Sequence, residues 1–419
     1  IKIDGSVYTT VASGGGLVGF TDITSGITFP FSFDSLELLA TSNNCFVKLT
    51  AIEVDGVVLQ DNLVGLTLTD ANSYDEDGNN MGQSISETFT AGQTVKGEST
   101  SGTYGADTPA FSTTTYVGNG TTQTINSGID NTGKSLVWTK CRNVSWDHNL
   151  MDTVRGVPEW LESNTTSGAG GDSAITAFNE TGWDLADQAR VNDSGKTFVA
   201  WNFRAAPGFM DIVQYTGDGV EGRGVPHQLA STPGLMILKP TTQTGDWIVY
   251  HKEIGYEGFL LLNLPAEEYP YPNRFTKDPD ANEFYVGKQG IGPNNTGVDY
   301  ITYLFADTPG KIKCGKYAGN GPSTVVNCGF KPEWVMIKCS TSSANWQMYD
   351  RERTNYLVAN TESSGTPIST FVWSDTGFSF NAFDSGLSNA GETYVYIAIA
   401  EGATAGGFFP TGELTADAD

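Results

Sequence analysis

Short apolar runs alternate with clusters of Gly, Asn, Asp, Ser and Pro along most of the chain. The runs are rich in Val, Ile, Thr, Tyr, Phe and Trp, which suit a pleated, half-buried surface. Few stretches carry the Glu, Lys, Arg and Ala of a helix surface, so the pattern predicts an all-β protein with little helix. Residues 207–309 show it best, with strands expected at 210–216, 222–228, 235–239, 246–251, 259–263, 283–287 and 299–305. Within 246–251, Trp247, Val249 and His251 share one face, and Ile248 and Tyr250 the other. Seven short strands at this spacing predict an antiparallel β-sandwich.

The same pattern occurs three times. "YVGNGTTQTINSGI" from Tyr116, "YTGDGVEGRGVPHQL" from Tyr215 and "YAGNGPSTVVNCGF" from Tyr317 open alike. Each is followed by an apolar strand ending in lysine, at Lys140, Lys239 and Lys338, spaced 99 and 99 residues apart. A tryptophan strand follows, with Trp146, Trp247 and Trp346, and each copy closes on "GKTFVAWNF", "GVDYITYLF" or "GETYVYIAI". The tryptophans are expected to fill sandwich cores. Sandwich repeats of about 100 residues are therefore expected at 112–206, 207–309 and 310–401. The first and last strands of each should lie close together, leaving the units strung like beads. Asn-Gly and Asp-Gly in the opening turns predict hairpins. A three-residue turn at 320–322 would place Cys314 opposite Cys328.

Residues 1–62 read as the closing part of a further sandwich, with strands around Asp55–Gly56. Residues 63–111 read as a small β element and linker, and 402–419 as a tail. The start at Ile1, in mid-pattern, is expected of a piece of a longer chain.

Charge narrows the classes of partner. With 23 basic and 48 acidic residues the net charge is −25, which disfavours nucleic acid and anionic membrane. No apolar run approaches the ~20 residues of a membrane-spanning helix, and no signal peptide is visible. Five cysteines, Cys45, Cys141, Cys314, Cys328 and Cys339, cannot all pair within the chain, and no CxxC is present. A reducing cytosol is the expected place of folding.

Candidate chemistry is sparse. Gly217, Gly219 and Gly222 form a G-x-G-x-x-G, but a strand, not a helix, is expected to follow, so a dinucleotide site is not expected. His148 and His251 fall in or beside tryptophan strands, which favours structural roles, and His227 falls near the place of Ser127 and Cys328. No nucleophile–base pairing is visible, so no catalytic or cofactor-binding residue is assigned. Glu267 and Glu268 beside "YPYPNRF" bring acids near Tyr269, Tyr271 and Phe275, the weak candidates for contact with a glycan or receptor. An exposed Pro-rich loop is the simpler reading. Asp75, Asp77 and Asn79 alternate as in a calcium loop, but Asn80 stands where Gly is needed and Ser86 where Glu is needed. They are weak candidates for calcium, and no cofactor is otherwise expected.

"AIEVDGVVLQDN" resembles the end of a laminin-G or concanavalin-like sandwich in virion proteins of marine, cyanophage-type bacteriophages. "PAFSTTTYVGNGTTQTINSGI" with "LVWTK", "FMDIVQYTGDG" with "LMILKP" and "DWIVYHKEIG", and "KCGKYAGNG" with "EWVMIK" and "NWQMYDRER" are similar to repeats of the same tail and fibre proteins. The resemblance implies a non-enzymatic tail fibre or tail appendage involved in host attachment. The alternatives are a capsid-decorating appendage and a host-glycan-binding protein or depolymerase. It implies a homo-oligomer, a trimer in many such appendages, with phage structural proteins and a host-surface glycan or protein as further partners. The expected location is the virion, assembled in the host cytoplasm. The first repeat departs most, with "VRGVPEWLESNTT" where the others read "YHKEIG" and "YDRERT".

Overall fold

The run Ser135–Cys141 is buried along its whole length. A strand with one wet face alternates buried and exposed positions, so both faces of this sheet must be covered. The computed structural model shows how. It describes residues 108–405, except 173, 272–273, 288–292 and 385, and seven short strands of the N-terminal part.

Three times over, a larger antiparallel sheet covers a three-stranded one. In the first unit the larger sheet runs Asn149–Asp152, Ser135–Cys141, Thr197–Arg204, Phe111–Val117. Its small sheet runs Ile175–Asn179, Gly182–Leu185, Gln123–Asn126. In the second unit the larger sheet is Met210–Thr216, Asp299–Phe305, Leu235–Pro240, Ile248–His251, Leu260–Leu261. The small one is Arg223–Pro226, Glu283–Val286, Phe275–Lys277. The third repeats the order, from Ile312–Ala318 through Thr393–Ala400, Pro332–Cys339, Gln347–Asp350 and Asn355–Val358 to Thr366–Pro367. Its small sheet is Val325–Asn327, Gly377–Phe380, Phe371–Trp373. The fold is all-β and built of β-sandwiches, as expected, and all seven strands expected in the second unit are present. Phe275–Lys277 is the strand that pattern missed. The first and last strands of each unit are paired, as anticipated.

The two faces of each larger sheet have different duties. In the first unit Val137, Cys141, Phe198 and Ala200 meet Ile125, Ile175 and Trp183 of the small sheet. The alternate residues Leu136, Trp138, Val199, Trp201 and Phe203 face a second core. In the third unit Val335, Ile337, Tyr394 and Tyr396 fill the sandwich, while Trp334, Met336, Val395, Ile397 and Ile399 join that second core. The second core is common to all three units. The Phe203 ring lies 5.7 Å from Phe305 of the second unit and 5.7 Å from Trp334 of the third. The units are therefore not beads, because each larger sheet has an apolar face that its own small sheet cannot cover. The chain divides instead into Ile1–Thr103 and Tyr104–Asp419.

Backbone bonds seal the seams between units in a cycle. Ala169 N–H donates to Thr241 O at 2.8 Å, Glu268 N–H to Ser340 O at 2.9 Å and Gly365 N–H to Arg142 O at 3.0 Å. A head-to-tail contact made three times closes a ring. The chain turns two corners covalently, at Ala206–Met210 and Thr308–Ile312. The segment before the first strand of the first unit and the segment after the last strand of the third unit make the third corner: Ala110 N–H bonds Ala403 O at 2.9 Å, and Ala405 N–H bonds Thr108 O at 2.7 Å.

The opening turns are corners, not hairpins. The strand before each lies in the larger sheet and the strand after it in the small one. Cys314 consequently opposes Ile397, and Cys328 follows a strand of the other sheet, so the expected Cys314–Cys328 register fails. The first glycine of each corner is required by close approach. A Cβ on Gly118, Gly217 or Gly319 would meet a backbone oxygen at 2.2, 2.2 or 2.1 Å. The described cysteines, Cys141, Cys314, Cys328 and Cys339, are buried free thiols. In the N-terminal part Ile52–Val54 pairs antiparallel with Val57–Leu59 around Asp55–Gly56, as expected. A five-stranded sheet there joins segments on both sides of residue 62, from Lys2–Ile3 to Ser86–Thr88.

One shared core predicts that the three units unfold together. Phe203→Ala should cost about 3–5 kcal/mol and shift the ring's whole transition to lower temperature in differential scanning calorimetry. Three separate transitions, only one of them displaced, would contradict a common core.

Candidate functional site

The polar groups buried at the seams are the most unusual chemistry in the described residues. They stand on the fourth strand of each larger sheet and the turn after it. His148, Trp247 and Trp346 occupy equivalent places. Each backbone N–H donates to an asparagine Oδ1, of Asn164, Asn263 and Asn360, at 3.0, 2.9 and 2.8 Å. Each ring N–H then crosses to the neighbouring unit. Trp247 Nε1 donates to Glu162 O at 2.8 Å, Trp346 Nε1 to Leu261 O at 2.9 Å, and His148 Nε2 lies 3.0 Å from Val358 O. Trp146, expected to match the other two tryptophans, is half-buried and packs against the first sandwich core instead. The 99-residue spacing of the lysines, applied to Trp247, points to His148.

Those lysines are fully buried. Lys140 Nζ donates to Cys141 O and Glu362 O at 2.9 and 3.0 Å, and Lys239 Nζ to Thr166 O and Gly245 O at 3.0 and 2.6 Å. Lys338 Nζ donates to Cys339 O. Burial lowers all three ammonium groups from 10.5 to about 8.

One strand turn further, the repeats diverge. Asp152 and Arg155 form a buried ion pair at 2.6 Å, and Asp350 and Arg353 form another. Each pair receives a donor from the adjoining unit. Tyr303 Oη donates to Asp152 Oδ2 at 2.8 Å, and Trp201 Nε1 to Asp350 Oδ2 at 2.9 Å. Burial, then the Asp152 carboxylate, pushes the Tyr303 phenol well above its ordinary value, so it keeps its proton. In the second unit His251 and Ile254 replace the acid and the arginine, and the residue equivalent to Trp201 and Tyr303 in the adjoining third unit is Ile397. An apolar residue thus accompanies the loss of the ion pair. Sequence reasoning passed over these residues, although "DTVR" and "DRER" stand at the same place after the fourth strand.

The tautomers of the histidines follow from their partners. Each Nε2 faces a backbone carbonyl: Val358 O for His148, Asp280 O for His227 and Tyr396 O for His251. Each Nδ1 accepts an N–H, from Trp138 Nε1, Leu229 N and Glu253 N. A proton on Nδ1 would face a donor, so the neutral ring is held in place. Burial pulls all three below 6.5, His251 to about 4.

The glycine corner that mimics a phosphate cradle spends its amides internally. Gly217 N–H bonds Val298 O, Gly219 N–H bonds Asn294 O and Gly222 N–H bonds Val286 O, at 2.8, 2.9 and 3.0 Å. Asp218 N–H bonds Asn294 Oδ1 at 3.0 Å, and strand Arg223–Pro226 follows.

Of the aromatic surface candidates, Tyr271 is 58% exposed, and Tyr269 stacks on Phe259 at 5.1 Å. Phe275 is 1% exposed and packs edge-on against Tyr250, so the expectation that it contacts a ligand fails: its side chain faces the core. Glu267 is exposed, and Glu268 is half-buried with its carboxyl raised by burial. Their loop clasps the third unit through Glu268 N–H and through Pro265 O, which accepts Ala344 N–H at 2.8 Å. Asp75, Asp77 and Asn79 lie outside the described residues.

Fold and seams together define a β-sandwich protein whose units close into a ring on buried polar clasps. The chain belongs to the family described as a domain of unknown function, DUF7483, whose model matches residues 106–403, almost the span of the ring. No curated protein and no solved structure matches it.

Asp350→Asn leaves the Arg353 charge buried and unpaired and should cost about 3–5 kcal/mol in denaturant unfolding. His251 titrates near 4 when folded and 6.5 when unfolded, so the unfolded chain binds the extra proton first. Its contribution is intact above 6.5 and is lost as pH falls toward 4. Between pH 7 and 5 this single group should remove about 2 kcal/mol of stability. Unfolding at both pH values in the parent and in His251→Gln checks it, because the variant should lack that share of the fall.

Proposed function

We propose that the chain is a non-enzymatic structural component of a bacteriophage virion, a tail fibre or tail appendage that takes part in host attachment. The observation that carries this reading is the ring itself. Its histidines, buried lysines and the acids Asp152 and Asp350 are bound to partners within the fold, several of them, including His148, His251, Lys140 and Lys239, across seams that tie the units together. Such wiring suits a rigid building block. The likeness of the three repeat openings to phage fibre modules supplies the virion context. On this reading the partners are other copies of the chain, further phage structural proteins and a host-surface glycan or protein, with assembly in the host cytoplasm.

A glycan-binding role has one favourable observation, the exposed Tyr271 on the loop that also carries the half-buried Glu268. Stacking of a sugar on that ring would be its basis.

Immunogold electron microscopy of intact particles, with an antibody to this chain, tests the proposal. Label on the tail or its tip is the expected outcome. Label on the head would replace the tail assignment with a capsid appendage. Unlabelled particles would remove the virion reading and leave the glycan-binding one.

A further inference from the structure

The three seams are alike in backbone and unlike in side chains. Arg142, Thr241 and Ser340 hold equivalent places, since each carbonyl accepts the seam bond from the next unit. Arg353, Arg155 and Ile254 are likewise equivalent. The pairings across the three seams are therefore Arg142 with Arg353, Thr241 with Arg155, and Ser340 with Ile254. The seam between the first and third units brings two guanidinium groups to one place. There they line a cavity of about 150 Å³ with Thr354, Asn355 and Gly365.

The guanidinium groups behind this cavity keep buried N–H groups without partners, as does Arg155 at the next seam. Asp350 Oδ2 takes Nε and Nη2 of Arg353, but Nη1 has no partner, although Arg353 is only 6% exposed. Arg142 Nε is also buried without a partner. A buried donor left unmade is costly, and more so on a charged group. Burial, and then repulsion from Arg353, lowers the Arg142 pKa, as expected of a guanidinium that lacks its own counter-charge. Asp350 answers one positive charge of the two. Thr354 is exposed, which opens the cavity to solvent.

We propose that this cavity is a binding site for a tetrahedral oxyanion, a phosphate or sulfate group, held between the Arg142 and Arg353 guanidinium groups. Guanidinium N–H groups match oxyanion geometry and form strong charge-assisted bonds. A water occupies about 30 Å³ of liquid, so the cavity has room for a small oxyanion and hydrating water. Thr354, Asn355 and Gly365 complete the wall, with the Asn355 amide spent on Gly365 O at 3.3 Å. The same chemistry is offered by free inorganic phosphate and by a sulfate ester carried on a sugar. The site does not depend on the virion reading, because it rests on the seam alone.

The test uses the full chain, with ionic strength held constant by sodium chloride. Thermal unfolding is followed while inorganic phosphate, glucose 6-sulfate or uncharged glucose is added. A ligand that binds the folded state raises the midpoint in a saturable way. Phosphate or glucose 6-sulfate should do so, and whichever saturates at lower concentration identifies the source. Glucose should not. Arg142→Thr places the second unit's own residue at this seam, so the ring should persist. In that variant the apparent affinity should fall at least about tenfold. No anion-specific shift, or an equal shift in Arg142→Thr, would overturn the proposal.

Discussion

Each larger sheet of the ring has two apolar faces, and a single small sheet can cover only one. The rest of the architecture depends on that surplus. Leu136, Trp138, Trp201 and Phe203 point away from their own sandwich, as do Trp334, Met336 and Ile397 in the third unit. Fully burying a large apolar side chain stabilises by about 1.5–3 kcal/mol relative to leaving it wet, so a lone unit would forfeit several such gains at once. Three units that turn their second faces inward recover them. The ring is thus a consequence of sheets that are apolar on both sides, and the seams are where its edges meet.

Polar groups drawn into those seams must be satisfied there, and the solution differs from seam to seam. Trp201 meets Asp350 and Arg353, and Tyr303 meets Asp152 and Arg155. Where the second unit substitutes His251 and Ile254, the third unit carries the apolar Ile397 in the place of Trp201 and Tyr303. A donor is present where there is a carboxylate to receive it and absent where there is none. His251 is accommodated by a backbone carbonyl instead, and stays neutral. The seam between the first and third units brings two arginines together beside one buried carboxylate, Asp350.

The same logic disposes of several apparent functional motifs. A glycine-rich corner beside a strand can hold a phosphate only if its amides are free, and those of Gly217, Gly219 and Gly222 are not. A histidine serves as a base only if one nitrogen is free, and both nitrogens of His148, His227 and His251 are engaged. These residues repeat because the corner and the seam repeat. A Cβ at Gly118, Gly217 or Gly319 would collide with the neighbouring backbone, so repetition there reflects packing.

Local order was determined by the sequence alone. Short apolar runs between Gly, Asn, Asp and Pro clusters marked seven of the eight strands of 207–309, since such clusters break strands whatever the chain later packs against. The 99-residue spacing marked the three units, because strands and corners of equal length recur in equal steps. Only the tertiary structure decided which strands share a sheet. A glycine turn reads alike whether the chain folds back or crosses to the other sheet, so the supposed hairpin at 320–322 and the Cys314–Cys328 register were lost together. Only the tertiary structure also revealed the common core, because a run such as "SLVWTK" reports that both faces are apolar and not what covers them. Phe275 was misplaced for the same reason: aromatic residues suit a sugar-binding surface and a buried strand equally well. Arg142 and Arg353 stand 211 residues apart, and no local pattern joins them. Closure of the ring brings them to one cavity, because the edge of the first unit must meet the edge of the third.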